Sequence, residues 1–242
     1  EIWMKFDTLF EEVIKDYSFV NTNNRAAFVF GRMNPPTIGH SMLLDKAKQI
    51  SQAEGRELFV FLSKTSPAVI EQSREGKNMQ KTHRDNALKN PLEFEYKLNA
   101  LNEAMPDIRF VADPIATNPF NAGYWLRDRG FKDVVLFAGS DRIPQYQAQF
   151  KPYLFHDDPE KSFNFEQFNV VSVGDRDPDS DDAVSSASGT KAREYAIADD
   201  VDNLQKILVQ GLSRDKVSEI AGIIRDVHSK YTEHSEAGAI PL

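Results

Sequence analysis

The chain of 242 residues contains no cysteine, which excludes a disulfide framework, a thiolate metal site and a cysteine nucleophile. It has no run near the ~18 consecutive apolar residues that a membrane span requires, and its start lacks the pattern of a cleavable leader. Basic residues are outnumbered by acidic ones, 29 to 37, which gives a net charge of −8. Such a chain is poorly suited to following a nucleic-acid phosphate backbone. We therefore expect a cytoplasmic globular protein that binds neither nucleic acid nor membrane.

Short apolar segments alternate with helical patterns along most of the chain. Buried strands are predicted at 26–30, 57–62, 108–112, 134–138 and 168–173. Helices are predicted at 38–53, 92–104, 190–198 and 201–209, and a further helix begins at Asn118 and ends at Gly130. This alternation predicts an α/β fold with an open, parallel sheet of about five strands and helices on both of its faces.

Neither a linker nor an internal repeat divides the chain, so the sequence predicts one domain over residues 1–242. Accessory helices are predicted at 4–20 and 213–232, and a loose tail at 233–242. Residues 66–90 are polar and basic, and we expect them to form a long loop or an insertion with a short helix. A solvated insertion, a lid and a docking segment are all compatible with this composition.

The turn after the first predicted strand has the features of an anion site. In open α/β sheets, ligands bind beyond the carboxyl ends of the strands. Gly31 permits a tight exit from the strand, and Thr37 is a natural N-cap for the helix that follows. The N–H groups at that helix end attract anions. His40 projects from the same first turn, and Gly39 leaves room for a phosphate beside it.

A second such segment follows the last predicted strand. Ser188 and Thr190 place hydroxyl groups at the start of a predicted helix, and Lys191 and Arg193 add charged donors within its first turn. Hydroxyl, ammonium and guanidinium groups together are typical of sites that hold phosphate oxygens. The plain alternative is a Ser/Gly loop that leads into an ordinary helix.

These two segments resemble the two signatures of the HxGH nucleotidyltransferase superfamily. The first signature reads G-R-F-x-P-x-(H/T)-x-G-H, and residues 31–40 match its threonine variant, with Met33 where phenylalanine is usual. The second reads I-S-S-T-x-x-R, and Ser188, Thr190 and Arg193 match it, with Gly189 in place of the second serine. Both signatures occur in the expected order at the two ends of the predicted sheet.

Three shorter stretches are similar to a phage and bacterial branch of the superfamily, which resembles nicotinamide-nucleotide adenylyltransferase. They are L-S-K-T at 62–65, K-N-P-L at 89–92 and G-S-D-R at 139–142. The resemblance covers a core of about residues 25–212, in which 66–90 is an insertion. It implies a Rossmann-like fold and a single nucleotidyltransferase domain.

The resemblance also implies an activity. Such an enzyme transfers a nucleoside monophosphate from a triphosphate, here AMP from ATP, to a phosphorylated small-molecule acceptor such as nicotinamide mononucleotide, as in NAD biosynthesis. Pyrophosphate is released, and Mg²⁺ is carried mainly by the triphosphate, with no dedicated metal site on the protein. By the same resemblance, the catalytic residues are His40, Thr37, Lys64 and Arg193. The residues that bind the nucleotide are Gly31, Arg32, Met33, Gly39, Gly139, Asp141, Ser188, Thr190 and Lys191, and those that contact the acceptor are Arg142 and Trp125.

Several alternatives remain open at this level. The donor is CTP in related enzymes, and pantetheine phosphate and flavin mononucleotide are other acceptors. A non-catalytic nucleotide-binding or structural phage protein would also carry the fold, and a phage protein would act in the host cytoplasm. Homo-oligomers are compatible with the sequence. Trp125 fits a core position as well as a ligand contact, Asp141 and Arg142 also fit a structural ion pair, and the calcium-like spacing at 175–181 lacks the expected glycine and glutamate.

Overall fold

A computed structural model describes residues 24–75, 77–173 and 188–236 of the protein, with side chains to residue 232. Within these residues, four parallel strands form one open sheet in the order β2-β1-β3-β4. The strands are β1 Arg25–Gly31, β2 Glu57–Leu62, β3 Asp133–Ala138 and β4 Gln167–Ser172. The predicted helix at 4–20 and the acidic stretch at 175–181 lie outside the described residues.

The prediction of a full strand at 108–112 is wrong. In this segment Phe110 alone bridges Val60 of β2, through two backbone hydrogen bonds of 2.8 and 2.9 Å. Pro106 and Pro114 bracket the segment, and proline has no N–H to donate to a ladder. The predicted α/β class and the parallel open sheet are confirmed, and the sheet is consistent with a Rossmann-like fold.

Nine helices surround the sheet in the described residues. They are α1 Ile38–Ala53, α2 Pro67–Ser73, α3 Lys81–Lys89, α4 Phe94–Ala104, α5 Pro119–Asp128, α6 Ile143–Leu154, α7 Gly189–Ile197, α8 Val201–Ile207 and α9 Arg214–Glu236. None of them combines the length and the apolar character that crossing a membrane requires.

The strands β1, β2 and β3 are apolar on both faces because both faces are covered, whereas the edge strand β4 is largely exposed. Alternate residues of a strand point to opposite sides of the sheet. Phe28 and Leu136 therefore pack with α5 and α6 on one face, in a core rich in aromatic rings. Val29 and Val135 pack with α1 and α4 on the other face. Together the two cores fix the carboxyl ends of β1, β2 and β3 at one edge of the sheet.

The basic segment 66–90 is more ordered than a long loop. It contains the two helices α2 and α3, and Ser66 caps the first of them by accepting a hydrogen bond from the Val69 N–H. Ile70, Ala87 and Tyr231 form a small core between this segment and α9. The predicted tail at 233–242 is wrong at its start, because α9 continues to Glu236.

Candidate functional site

A cavity of about 690 Å³ lies beyond the carboxyl ends of β1 and β3. This is the topological switch point of the sheet, since the chain runs from β1 to its neighbour β2 on one side and later returns to β3 on the other side of β1. Clefts of this size and position are the usual ligand sites of open α/β sheets. Eight of the predicted site residues line it, namely Gly31, Arg32, Met33, Gly39, His40, Gly139, Asp141 and Arg142.

The loop after β1 is fixed to the core by a buried side chain and by hydrogen bonds to the segment before α4. Met33 has a φ of 44° and is only 2% exposed, and the Asn34–Pro35 peptide is cis. The Asn34 side chain donates to the Leu92 carbonyl and accepts from the Leu92 N–H, both at 2.9 Å. This amide therefore bonds to the Leu92 backbone as a neighbouring strand would, and it ties the loop to a residue two positions before α4. Neither composition nor spacing marked Asn34 as a site residue.

Thr37 and His40 form one unit at the start of α1. The His40 Nδ1 accepts a hydrogen bond of 3.0 Å from the Thr37 N–H and lies 2.9 Å from the Thr37 hydroxyl oxygen. A neutral ring whose Nδ1 accepts carries its proton on Nε2. Thr37 itself is fully buried, so it orients the ring rather than facing the cavity. The arrangement makes His40 a directed donor beside the N-terminus of a 16-residue helix.

The opposite wall of the cavity is formed by the turn after β3. Asp141 and Arg142 are ion-paired at 3.4 Å and largely exposed, and both line the cavity. A Cβ atom on residue 139 would lie only 2.8 Å from the Asp141 Oδ1, so Gly139 allows the carboxylate to fold back over the turn. The two side chains thus form an ion pair and also line the cavity, while their contact with the acceptor or the ribose stays a prediction.

The second predicted segment lies beside a different cavity. Thr190 and Arg193 line a cleft of about 310 Å³ between α3, α7 and α9. The Arg193 guanidinium donates to the Asn34 carbonyl at 3.0 Å, and the Ser188 hydroxyl caps α7 by accepting from the Lys191 N–H. Arg193 therefore contacts the outer side of the same loop whose inner side lines the larger cavity.

Four of the predicted phosphate-binding cations have no carboxylate partner in the described residues. Across the described residues, no Asp or Glu oxygen lies within 4.0 Å of Arg32, Lys64, Lys191 or Arg193. Burial, and after it the neighbouring charge of Arg32, lower the pKa of Arg193, which indicates that the two guanidinium groups act on each other. Such a cluster attracts an anion although the chain is acidic overall.

Trp125 does not line either cavity. Its side chain is 6% exposed, packs against Phe59 and Phe61, and donates to the Asp113 carboxylate at 3.0 Å. The Arg129 guanidinium lies 3.5 Å from the centre of its ring. The structure therefore places Trp125 in the core on the α5 face.

Lys97 was not predicted as a site residue, although it lies under the site. It is fully buried on the apolar face of α4, and its ammonium donates to the Arg32 carbonyl at 2.7 Å and to the Ser63 carbonyl at 2.8 Å. Burial, reinforced by the charge of Arg32 and opposed by that of Glu93, lowers the pKa of Lys97 to about 7. The only signal in the sequence was a lysine at a helix position that periodicity assigns to the core, beside Leu98.

We expect this buried amine to make folding stability depend on pH. The lowered folded-state pKa means that, between about pH 7 and the unfolded value of ~10.4, the unfolded chain binds the extra proton. The free energy of unfolding of the wild type should therefore rise with pH relative to Lys97→Met, by up to ~1.4 kcal/mol per pH unit. Urea denaturation of both proteins at pH 6, 7, 8 and 9 measures this difference. Parallel curves would contradict the assignment.

A comparison of the chain with protein-family models found no matching family, and a comparison with curated proteins found no match.

Proposed function

We propose that this protein is a nucleotidyltransferase that transfers a nucleoside monophosphate, AMP from ATP, to a phosphorylated small molecule and releases pyrophosphate. The observation that carries the proposal is the joint placement of Gly31, Gly39 and His40 on one cavity at the topological switch point of the sheet. The resemblance of residues 31–40 and 188–193 to the signatures of such enzymes also supports it.

The chemistry needs few protein groups. An oxygen of the acceptor phosphate is already ionised, so it attacks the α-phosphorus in line without a general base. Catalysis then consists of positioning the two substrates and stabilising the charge that develops on the phosphoryl oxygens. The His40 Nε2–H donates to those oxygens, and Thr37 holds the ring in the tautomer that makes this possible. The N-terminus of α1 adds its positive end.

The cations around the loop suit a triphosphate. Arg32 lines the cavity, and Arg193 contacts the loop from its outer side. Lys64 follows β2 and is exposed, and Lys191 lies in the first turn of α7. Of these four groups, Arg32 alone lines the cavity, and we assign it to the β- and γ-phosphates. The assignment of Lys64, Lys191 and Arg193 to the same phosphates and to the departing pyrophosphate rests on the resemblance of the two segments to the signatures. Asp141 and Arg142 on the opposite wall are assigned to the ribose or the acceptor.

Mg²⁺ fits this site as a companion of the triphosphate. Magnesium keeps most of its waters and typically uses one or two carboxylates with the substrate phosphates. The carboxylates of Asp45 and Asp141 line the cavity and meet that requirement. When bound, the ion would neutralise phosphate charge. Among the described residues, no cluster of three or more potential metal ligands occurs.

The activity is tested by pyrophosphate release with ATP and with CTP against a panel of acceptors. The panel contains nicotinamide mononucleotide, pantetheine phosphate and flavin mononucleotide. We expect release with ATP and one acceptor, because residues 185–193 lack the R-T-x-G-I part of the distal signature that is usual in cytidylyltransferases. The variant His40→Ala serves as the inactive reference. ATP binding without release across the panel would instead favour a nucleotide-binding protein without catalytic activity.

A further inference from the structure

A charged side chain at position 97 is energetically unfavourable, because the position is buried. The residue is fully buried in α4, on the same face as the core residues Leu98 and Leu101. Taking an ammonium out of water costs several kcal/mol, and replacing a buried charge by an apolar side chain of similar volume is often neutral or stabilising. The fold already has a continuous core around this position. Stability alone therefore does not explain a lysine here.

The hydrogen bonds of Lys97 link β1 and β2 one residue beyond their last backbone hydrogen bond. The last paired residues of β1 and β2 are Gly31 and Leu62, and the Ser63 N–H still donates to the Gly31 carbonyl at 3.0 Å. Beyond that bond, the two chains part. The Lys97 ammonium donates to the carbonyls of Arg32 and Ser63, which are the first residues after β1 and β2. A single nitrogen atom therefore holds the two loops together where they leave the sheet.

This junction fixes the direction of two peptide groups. In a trans peptide, the C=O and N–H bonds point to opposite sides. Because the Arg32 and Ser63 carbonyls face Lys97, the N–H groups of Met33 and Lys64 face away from it. Within the part of the chain that the structure describes, neither N–H has a hydrogen-bond acceptor. Met33 is nevertheless 2% exposed and lines the cavity, and buried N–H groups without a partner are rare.

We propose that Lys97 is a positioning residue for phosphate binding, because by holding the Arg32 and Ser63 carbonyls on the core side it directs the Met33 and Lys64 N–H groups to phosphate oxygens. Backbone N–H groups that the fold holds without an internal acceptor are typical donors to a bound anion. This role rests on the proposed function, and it deepens it by assigning two phosphate donors that side-chain chemistry does not reveal.

The first test compares Lys97→Met, which keeps length and burial but removes the donor, with Leu98→Ala, which disturbs the same core without removing a hydrogen bond to either loop. Hydrogen exchange is measured at the Ser63 amide and, as an internal reference, at the Val60 amide within β2. We expect Lys97→Met to raise exchange at Ser63 relative to Val60 by at least ~10-fold, a change that global destabilisation, as in Leu98→Ala, does not produce. An unchanged ratio in Lys97→Met would overturn the proposal.

The second test uses inorganic tripolyphosphate as the ligand probe. Lys97→Met should bind it ~10- to 100-fold more weakly than the wild type, and Leu98→Ala should bind it normally. The cysteine-free chain allows a rescue: Lys97→Cys, alkylated with bromoethylamine while unfolded and then refolded, carries a lysine analogue at this position alone. Alkylation should restore both binding and the exchange ratio, and this pair decides the question if Lys97→Met does not fold.

The two proposals fail separately. A wild type that binds no tripolyphosphate and no ATP would overturn the nucleotidyltransferase proposal, and with it the role of Lys97 in phosphate binding. A wild type that binds both, combined with a Lys97→Met variant that binds tripolyphosphate equally well, would overturn only the role of Lys97.

Discussion

Replacing His40 by alanine is expected to lower turnover by ~10²–10³ while leaving the fold intact, since this is the usual loss when one donor to a developing charge is removed. The ring is held by Thr37 through its Nδ1, so its proton is on Nε2, the nitrogen that donates to phosphoryl oxygens in the proposed mechanism. A donor that acts mainly in the transition state lowers kcat more than it raises KM for ATP. Steady-state pyrophosphate release measures both constants.

A matched variant shows whether the loss of turnover is specific to His40 or follows from removing any histidine. His83→Ala removes a histidine from α3 that lines neither cavity, and it should retain wild-type turnover. Thermal unfolding should show that both variants are folded at the assay temperature, although His40→Ala removes an acceptor of the Thr37 N–H and should melt at a lower temperature than His83→Ala. Near-normal turnover in His40→Ala would refute the proposed role of His40.

Thr37 provides a finer comparison at the same site. Thr37→Val keeps the volume of the buried side chain and removes the hydroxyl, but the backbone N–H that holds the ring remains. We therefore expect a smaller loss of turnover than in His40→Ala. A loss as large as that of His40→Ala would indicate that the Thr37 hydroxyl itself contacts the substrate.

Replacing Asp133 by alanine is expected to reduce the free energy of unfolding by ~3 kcal/mol, which is characteristic of breaking a buried ion pair. The Asp133 carboxylate accepts two hydrogen bonds from Arg56, at 2.7 and 3.1 Å, and one from Arg25, at 3.0 Å. The Arg56 side chain is only 6% exposed and would lose its bidentate partner, although Glu54 remains at 2.6 Å. Urea denaturation at pH 7 measures the change.

Because Asp133 lies far from the cavity, the Asp133→Ala variant tests folding stability without changing the candidate site. Asp133 and Arg25 begin β3 and β1, so the cluster lies at the amino ends of the strands, opposite the cavity. Asp133→Ala should therefore keep its kcat at temperatures where it is folded. The exposed pair between Lys48 and Asp107 supplies the control, and Asp107→Ala should change the free energy of unfolding by less than ~0.5 kcal/mol.

The same cluster has a defined dependence on pH. Burial alone would raise the pKa of Asp133, but the hydrogen bonds from Arg56 and Arg25 outweigh it and lower the pKa. The stabilisation is therefore present above the unfolded value of ~3.9 and is lost as the pH falls through the lower folded-state value. Wild type and Asp133→Ala should converge in stability under acid conditions. A constant difference down to acid pH would contradict this account.

The segments that the sequence predicted best are those whose pattern depends only on neighbouring residues. The run at 134–138 has no polar residue, and it became β3 with every one of those residues buried. Asn118 is an N-cap followed by proline, and it caps α5 by accepting from the Asn121 N–H. In contrast, the strand predicted at 108–112 depended on partners as well as on composition, and it forms one bridge.

The site residues also differ in whether their roles depend on neighbouring or on distant residues of the chain. The loop at 31–40 could be identified from spacing, because its glycines, its cap and its histidine act within ten consecutive residues. Asn34 and Lys97 could not, since their partners Leu92, Arg32 and Ser63 are 34 to 65 residues away along the chain. Likewise, spacing gave no reason to place Arg193 in a separate cleft from His40.

From the sequence alone, the α/β class, the parallel open sheet and the loop that lines the cavity could be predicted, because periodicity and capping are local properties of the chain. Only the tertiary structure decided that a buried lysine lies under that loop, that Trp125 belongs to the core and that two cavities share the loop as a wall. These features depend on which distant residues the parallel sheet brings to one edge, and that choice is made by packing both of its faces.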